Sequence, residues 1–161
     1  MPIRPEPSER LHVNARTIWR LGGLITFSIC SLIFLVGAGV LIRFDLIPWW
    51  WAAPAGVLLA VPSLLGIYYV PELTWRTWRY EVGEDEVDLQ SGVFTVTRTL
   101  IPMARIQHVD TRRGVLQRRF GLATVVLYTA AGSNEIPGLA DPVAGEVRDR
   151  IAALANTHDD L

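Results

Sequence analysis

The sequence has very few of the residues from which covalent or metal-based sites are built. It contains one cysteine, Cys30, and three histidines that lie far apart, His12, His108 and His158. A single cysteine excludes a disulfide within one chain and a metal site made of several thiolates. No nucleophile elbow, phosphate-binding glycine loop or histidine pair at metal-ligand spacing occurs. We therefore expect no catalytic residues, no bound metal and no cofactor, and we predict that the protein is not an enzyme.

Net charge is nearly absent as well. The formal charge is −1, and all 15 basic residues are arginine. A chain with so little net charge is not expected to bind nucleic acid, so that any basic surface must be local.

Two long stretches carry no charge at all. Residues 21–42 and 49–70 are each 22 residues long and contain no Asp, Glu, Lys, Arg or His, and about 20 apolar residues suffice to cross the hydrocarbon core of a bilayer. Only six residues separate them, so the two predicted helices must be antiparallel neighbours. We predict a transmembrane helical hairpin over residues 21–70, preceded by a cytoplasmic N-terminal segment, residues 1–20. A cleaved signal peptide has a shorter apolar region, and none is expected here.

The residues that flank the two spans predict their orientation. Four arginines precede the first span and two follow the second, whereas Arg43 is alone in the connection. The positive-inside rule then places both termini in the cytoplasm. All six tryptophans are expected to lie at the membrane interfaces as anchors, because indole rings favour the headgroup boundary: Trp19, Trp49, Trp50, Trp51, Trp75 and Trp78.

Small residues recur every four positions in the second span. Ala52, Gly56 and Ala60 form a stripe on which another helix can pack closely. The first span is its expected occupant, and a second copy or another protein is the alternative.

Beyond Pro71 the pattern changes to short alternating segments separated by turn residues, which is typical of antiparallel strands. We predict a meander with strands over residues 75–82, 86–90, 93–101, 105–111 and 122–129, and a shorter strand around Glu135. Asp141 and Pro142 suit the start of a final helix. Its predicted apolar face comprises Val143, Val147, Ile151 and Leu154. Residues 72–157 should therefore form one mostly β domain closed by a C-terminal helix.

Several motifs of this domain occur together and in a fixed order: WRTWRY at 75–80, SGV at 91–93, IP at 101–102, RIQ at 105–107 and GVLQRRFGLA at 114–123. The sequence is thereby similar to the bacterial pleckstrin-homology-like (PH-like) membrane proteins often called YdbS-like, over roughly residues 20–155. The resemblance implies a PH-like barrel or sandwich with a capping helix, in a bacterial plasma membrane. It implies no particular activity, because the fold hosts lipid-binding, peptide-binding and purely structural domains.

Charge is distributed unevenly between the two predicted ends of this domain. The turn at residues 83–86 is acidic, which argues against the phosphoinositide recognition that eukaryotic members of the fold often achieve with a basic first turn. The other end carries four arginines with apolar neighbours, namely Arg112, Arg113, Arg118 and Arg119. These arginines either pair within the protein, for example with Asp110, or contact anionic headgroups, or dock a protein partner.

The leading functional hypothesis is a membrane-anchored, non-enzymatic interaction or scaffold module. Its domain would engage an unidentified protein partner or copies of itself, with its basic end on anionic membrane lipid. One alternative is an accessory subunit of a larger membrane enzyme or transport complex. The other is an enzyme of lipid or envelope metabolism.

Overall fold

The computed structural model describes residues 5–159 and divides the chain into two compact units. One unit is Trp19–Glu72. The other contains the residues up to Ile18 together with those from Leu73 onward.

The first unit is built from two long helices. Helix α1 is Asn14–Arg43, a single 3-10 turn covers Trp49–Trp51, and helix α2 is Ala52–Thr77. Both are long and apolar enough to cross a membrane, and almost none of their apolar residues are buried inside the protein. Such continuous exposed apolar surface is expected of helices that are surrounded by lipid.

The second unit contains two three-stranded antiparallel sheets, ordered β1-β2-β3 and β4-β5-β6. The first sheet consists of β1 (Arg79–Val82), β2 (Glu86–Ser91) and β3 (Thr97–Pro102). The second consists of β4 (Ile106–Arg112), β5 (Leu122–Thr129) and β6 (Gly132–Ala140). A short helix, α3 (Val115–Arg119), connects β4 to β5, and α4 (Asp141–Asp159) follows β6. This arrangement confirms the predicted PH-like fold in its open, sandwich-like form.

The core of this unit lies around strand β5 and helix α4. Residues 122–127 of β5 are all buried, and Met103, Ile136 and Ile151 are fully enclosed. Each large apolar side chain buried in this way contributes about 1.5–3 kcal/mol to folding.

The N-terminal segment is part of the same core. Glu9 and Tyr80 exchange two backbone hydrogen bonds of 3.1 Å, so that the segment extends the edge of β1. The His12 amide donates to the Gly138 carbonyl at 3.0 Å, and Leu11 and Ala15 are buried. Residues that the sequence pattern placed in a separate segment thus complete the fold of the domain.

Several predicted element boundaries are wrong. Trp75 lies in α2 rather than in the first strand, because WRTWRY fits helical spacing as well as alternation. The third strand begins at Thr97, four residues later than predicted, and the six strands form two sheets rather than one meander. The final strand is longer than expected, and α3 was not predicted.

The buried face of α4 also differs from the predicted one. Val143 is 37% exposed, whereas its neighbour Ala144 is fully buried. Ile151 is buried as expected. The face is shifted by one residue at the start of the helix, because the small Ala144 allows close contact with the sheet.

Candidate functional site

The candidate site lies around α3, which the side chain of Gln117 fixes in place. Its Oε1 atom accepts a hydrogen bond of 2.9 Å from the Gly114 amide at the start of the helix. Its Nε2 atom donates one of 2.7 Å to the Thr124 hydroxyl on β5. A helix of five residues is too short to be stable alone, so these bonds to a buried strand determine its position.

The four arginines predicted to face lipid or a partner fall into two pairs. Arg112 forms an ion pair of 3.7 Å with Glu135, donates a hydrogen bond to the Tyr128 hydroxyl and lies over the Tyr128 ring. Arg113 forms an ion pair of 2.8 Å with Asp141. The charge of these two residues is therefore balanced within the domain, although by other partners than Asp110.

Arg118 and Arg119 behave differently. Both are exposed, and neither side chain has a hydrogen bond or an ion pair within the described part of the chain. On the same short helix, Val115 is 76% exposed. We refer to Val115, Arg118 and Arg119 as the α3 surface. It combines two unbalanced positive charges with an apolar side chain.

The first turn of α1 lies close to β6. Gly138 is so near that a Cβ atom placed on it would lie 2.5 Å from the Ala15 Cβ atom. Asp141, which forms the ion pair with Arg113, follows Gly138 by three residues. The acidic turn, residues 83–86, joins β1 to β2 after Val82. It lies at the opposite end of this strand pair from Arg79 and Gln90.

The predicted interfacial tryptophans have different environments. Trp49, Trp50 and Trp51 are exposed, and the rings of the last two stack with centroids 5.1 Å apart. Trp19 is half-buried. Trp78, in contrast, is only 9% exposed and belongs to the domain core. Its ring is thus enclosed by the protein, and its placement at the membrane interface stays a prediction.

Trp75 likewise packs within the domain. Its indole Nε1–H donates to the Leu11 carbonyl at 3.1 Å, and the Arg16 guanidinium lies 5.2 Å from its ring centroid. These contacts connect the last turns of α2 to the N-terminal segment. Its sequence position between an apolar helix and a polar domain resembles that of an interfacial anchor, which is why pattern reasoning did not separate the two roles.

The small-residue stripe faces α1 within the hairpin. A Cβ atom on Gly56 would lie 3.5 Å from the Phe34 ring, and one on Gly23 would lie 3.0 Å from Ile67. Arg20 and Glu72 form an ion pair of 3.3 Å at one end of the hairpin. The helices leave an apolar groove of about 680 Å³ between them, and its lining includes Phe27, Cys30, Phe34, Ala52, Gly56 and Ala60.

Within residues 5–159 no group of three or more metal-ligating side chains occurs. His108 stacks on Tyr128 with ring centroids 4.1 Å apart. A cavity of about 750 Å³ lies between β4 and α4, and its lining includes His108, five alanines and the polar residues Arg105, Gln107 and Asn156.

Sequence reasoning missed Gln117, which positions α3, and Tyr128, which contacts both Arg112 and His108. It also missed the exposure of Phe94, in the loop between β2 and β3. The Gly114-to-Gln117 spacing is a signal that could have indicated a short capped helix. The contacts of Tyr128 depend on sheet register, which the sequence does not specify, and the exposure of Phe94 depends on the tight loop at Gly92.

The comparisons with known proteins agree with this architecture. The family described as Bacterial PH domain matches residues 21–155. The UPF0699 transmembrane protein YdbS of Bacillus subtilis (strain 168) is 37% identical over 158 residues, covering 98% of this chain and 99% of that protein. The UPF0699 transmembrane protein YdbT of the same organism is 29% identical over 79 residues, 49% of this chain and 16% of that protein. No solved structure matches significantly.

These matches include both the helices and the domain, and they confirm the resemblance drawn from the sequence motifs. The chain therefore belongs to the bacterial PH domain family, as a member that carries two helices of membrane-spanning length.

Proposed function

We propose that the protein is a membrane-anchored, non-enzymatic interaction module of the bacterial plasma membrane, whose PH-like domain lies at the cytoplasmic face and contacts anionic headgroups through the α3 surface. The single observation that carries the lipid contact is the pair of exposed, unbalanced arginines, Arg118 and Arg119, beside the exposed Val115. Each arginine near an anionic surface is attracted by about 1 kcal/mol.

The orientation of the hairpin rests on its flanking charge. Arg10, Arg16 and Arg20 precede the first apolar run, and Arg76 and Arg79 follow the second. The charged residues of the short connection, residues 43–48, are Arg43 and Asp45. This asymmetry favours a cytoplasmic domain and cytoplasmic termini.

The test uses the full-length protein, because Leu11 and Ala15 are part of the domain core and a fragment starting at residue 72 would lack them. The protein is placed in nanodiscs of phosphatidylcholine alone or of phosphatidylcholine with phosphatidylglycerol, and amide hydrogen exchange is followed over residues 113–121. We expect severalfold slower exchange in the anionic discs, since bound headgroups hold α3 on β5. The double variant Arg118→Glu/Arg119→Glu should lose this dependence on lipid charge.

A matched control is available on α4, where Arg148→Glu/Arg150→Glu changes the net charge equally at two arginines outside the α3 surface. This variant should keep the lipid dependence. Equal exchange of residues 113–121 in both kinds of disc would refute the headgroup contact.

A second candidate, an accessory subunit of a larger membrane complex, is favoured by one observation, the apolar groove beside Ala52, Gly56 and Ala60. A groove of this volume can accept side chains of a third helix where small residues allow close approach. The occupant would come from another protein or from a second copy. Replacing Gly56 with leucine should then release a co-purifying protein while leaving the domain folded. The enzyme alternative has no supporting cluster of residues in the described chain.

A further inference from the structure

The most exposed large apolar residue of the domain is Phe94, in the loop between β2 and β3. Its side chain is 97% exposed, and Val96 in the same loop is also exposed. Fully solvated phenylalanine at a loop tip is unfavourable in water, because its apolar area remains hydrated. Exposed apolar patches mark contacts with a partner or a membrane, and this loop presents two exposed apolar side chains.

The loop has a fixed shape and a fixed base. Gly92 has φ +135°, and a Cβ atom there would lie 1.9 Å from the Thr95 carbonyl oxygen, so the chain folds back tightly on itself. The Thr77 hydroxyl, in the last turn of α2, donates a hydrogen bond to the Gly92 carbonyl. This hydrogen bond attaches the base of the Phe94 loop to the C-terminal end of α2, the helix that contains the second apolar run.

The chain between the apolar run and this loop is short enough for the loop to reach the bilayer. Thr77 is seven residues beyond Val70, where the apolar run ends, and at 1.5 Å per helical residue this separation is about 10 Å along α2. Phe94 is two residues beyond Gly92 and extends up to about 7 Å from it before its side chain is counted. The headgroup layer on each side of the hydrocarbon is itself about 5–7 Å thick.

From these observations we infer that Phe94 and Val96 insert into the headgroup boundary of the leaflet from which α2 emerges, as an apolar contact of the domain with lipid. The inference rests on the proposed membrane anchorage, but it uses residues other than the α3 surface. We infer a contact with lipid rather than with protein because the loop is hydrogen-bonded to α2, which contains the second apolar run. The two contacts differ in chemistry, since insertion of phenylalanine does not need anionic headgroups.

Site-directed spin labelling of the full-length protein tests this inference. In a Cys30→Ser background, single cysteines are introduced by Phe94→Cys, Val96→Cys and Glu84→Cys and labelled with a nitroxide. Glu84 is the control, because it is an exposed loop residue in the acidic turn. Power saturation is then measured in phosphatidylcholine liposomes with oxygen, which partitions into lipid, and with a polar nickel complex, which remains in water.

We expect labels at positions 94 and 96 to be more accessible to oxygen than to nickel, and the label at position 84 to show the reverse. Nickel accessibility at position 94 equal to that at position 84 would overturn the inference. Protection from both reagents would overturn it too, since it would indicate a protein contact. Adding phosphatidylglycerol should leave the accessibility of the label at position 94 unchanged, whereas it should slow the amide exchange of α3. The two measurements therefore distinguish failure of the Phe94 contact from failure of the α3 contact.

Discussion

The Nε atom of Arg98, on β3, lies 3.0 and 2.9 Å from the two carboxylate oxygens of Asp88, on β2. Asp88 is only 7% exposed. The hydrogen bond to Asp88 is the main reason that the pKa of Arg98 is raised. The same guanidinium donates to the Pro5 carbonyl at 2.8 Å, so one side chain connects two strands with the N-terminal segment.

Substitution Arg98→Ala should therefore destabilise the domain. The substitution leaves the buried Asp88 carboxylate without its charged partner. An unpaired buried charge lowers the stability of a fold by more than an exposed ion pair raises it. We expect the thermal midpoint of the detergent-solubilised protein to fall by about 5 °C or more. Arg148→Ala is the control, because Arg148 pairs with the exposed Asp149 next to it on α4, and it should change the midpoint little. Equal midpoints for the two variants would contradict this prediction.

Tyr80 should make the domain sensitive to alkaline pH. Burial raises the pKa of its hydroxyl above the usual 10.0, and the nearby Glu9 carboxylate raises it further. The unfolded chain then loses this proton first, so the stabilisation is complete below about pH 10 and is lost as the pH rises through the folded-state pKa. Tyr80→Phe should unfold at a higher pH than the wild type while matching its stability at pH 7. Identical alkaline transitions would show that Tyr80 does not contribute.

Two glycines with nearly the same backbone angle allow a matched test of the contact between α1 and β6. Gly138 and Gly121 have φ values of 64° and 63°. A Cβ atom on Gly121 meets nothing within 4 Å, whereas one on Gly138 would lie 2.5 Å from the Ala15 Cβ atom. Gly121→Ala should lower the free energy of unfolding by only the left-handed penalty, about 1–2 kcal/mol, and Gly138→Ala by clearly more.

A rescue experiment isolates the steric part of this effect. Adding Ala15→Gly to Gly138→Ala removes the colliding atom and should recover part of the stability, measured by denaturant unfolding in mild detergent. If the two single alanine variants are equally stable, Ala15 does not pack on Gly138 as described.

The lone cysteine serves as a built-in probe of the hairpin groove. Cys30 is exposed and lines the groove together with Gly56 and Ala60. If a second copy occupies the groove, mild oxidation of native membranes should give a disulfide-linked dimer on a non-reducing gel, and Gly56→Leu should abolish it. Monomer alone, with Cys30 still reactive toward a membrane-permeant maleimide, would exclude the homodimer at this face.

Element types were largely predictable from sequence because the periodicities are strong. The two uncharged runs indicate the helices, and the alternation of Val87 and Leu89 indicates β2, which the structure has at Glu86–Ser91. The boundaries of α1 and α2 were not predictable, since each helix extends about seven residues beyond its apolar run into the domain. Those extensions are stabilised by tertiary contacts such as Trp75 with Leu11, which no local pattern encodes.

The candidate site was predictable in composition but not in detail. The four arginines could be listed from the sequence, yet which of them are balanced depends on where Glu135 and Asp141 lie after the sheet has formed. The exposure of Phe94 follows from the tight loop at Gly92 rather than from the surrounding strand pattern.

The pairing of Glu9 with Tyr80 has a consequence for how the protein is made. The ribosome releases the N-terminal segment first, but its strand partner follows about 70 residues later, after both spans have been synthesised. The segment therefore remains unpaired while the hairpin inserts into the membrane. Once Arg20 and Glu72 meet, the inserted hairpin closes this long loop and reduces the entropy cost of the late pairing. Membrane insertion thus becomes a step in the folding of the domain outside the bilayer.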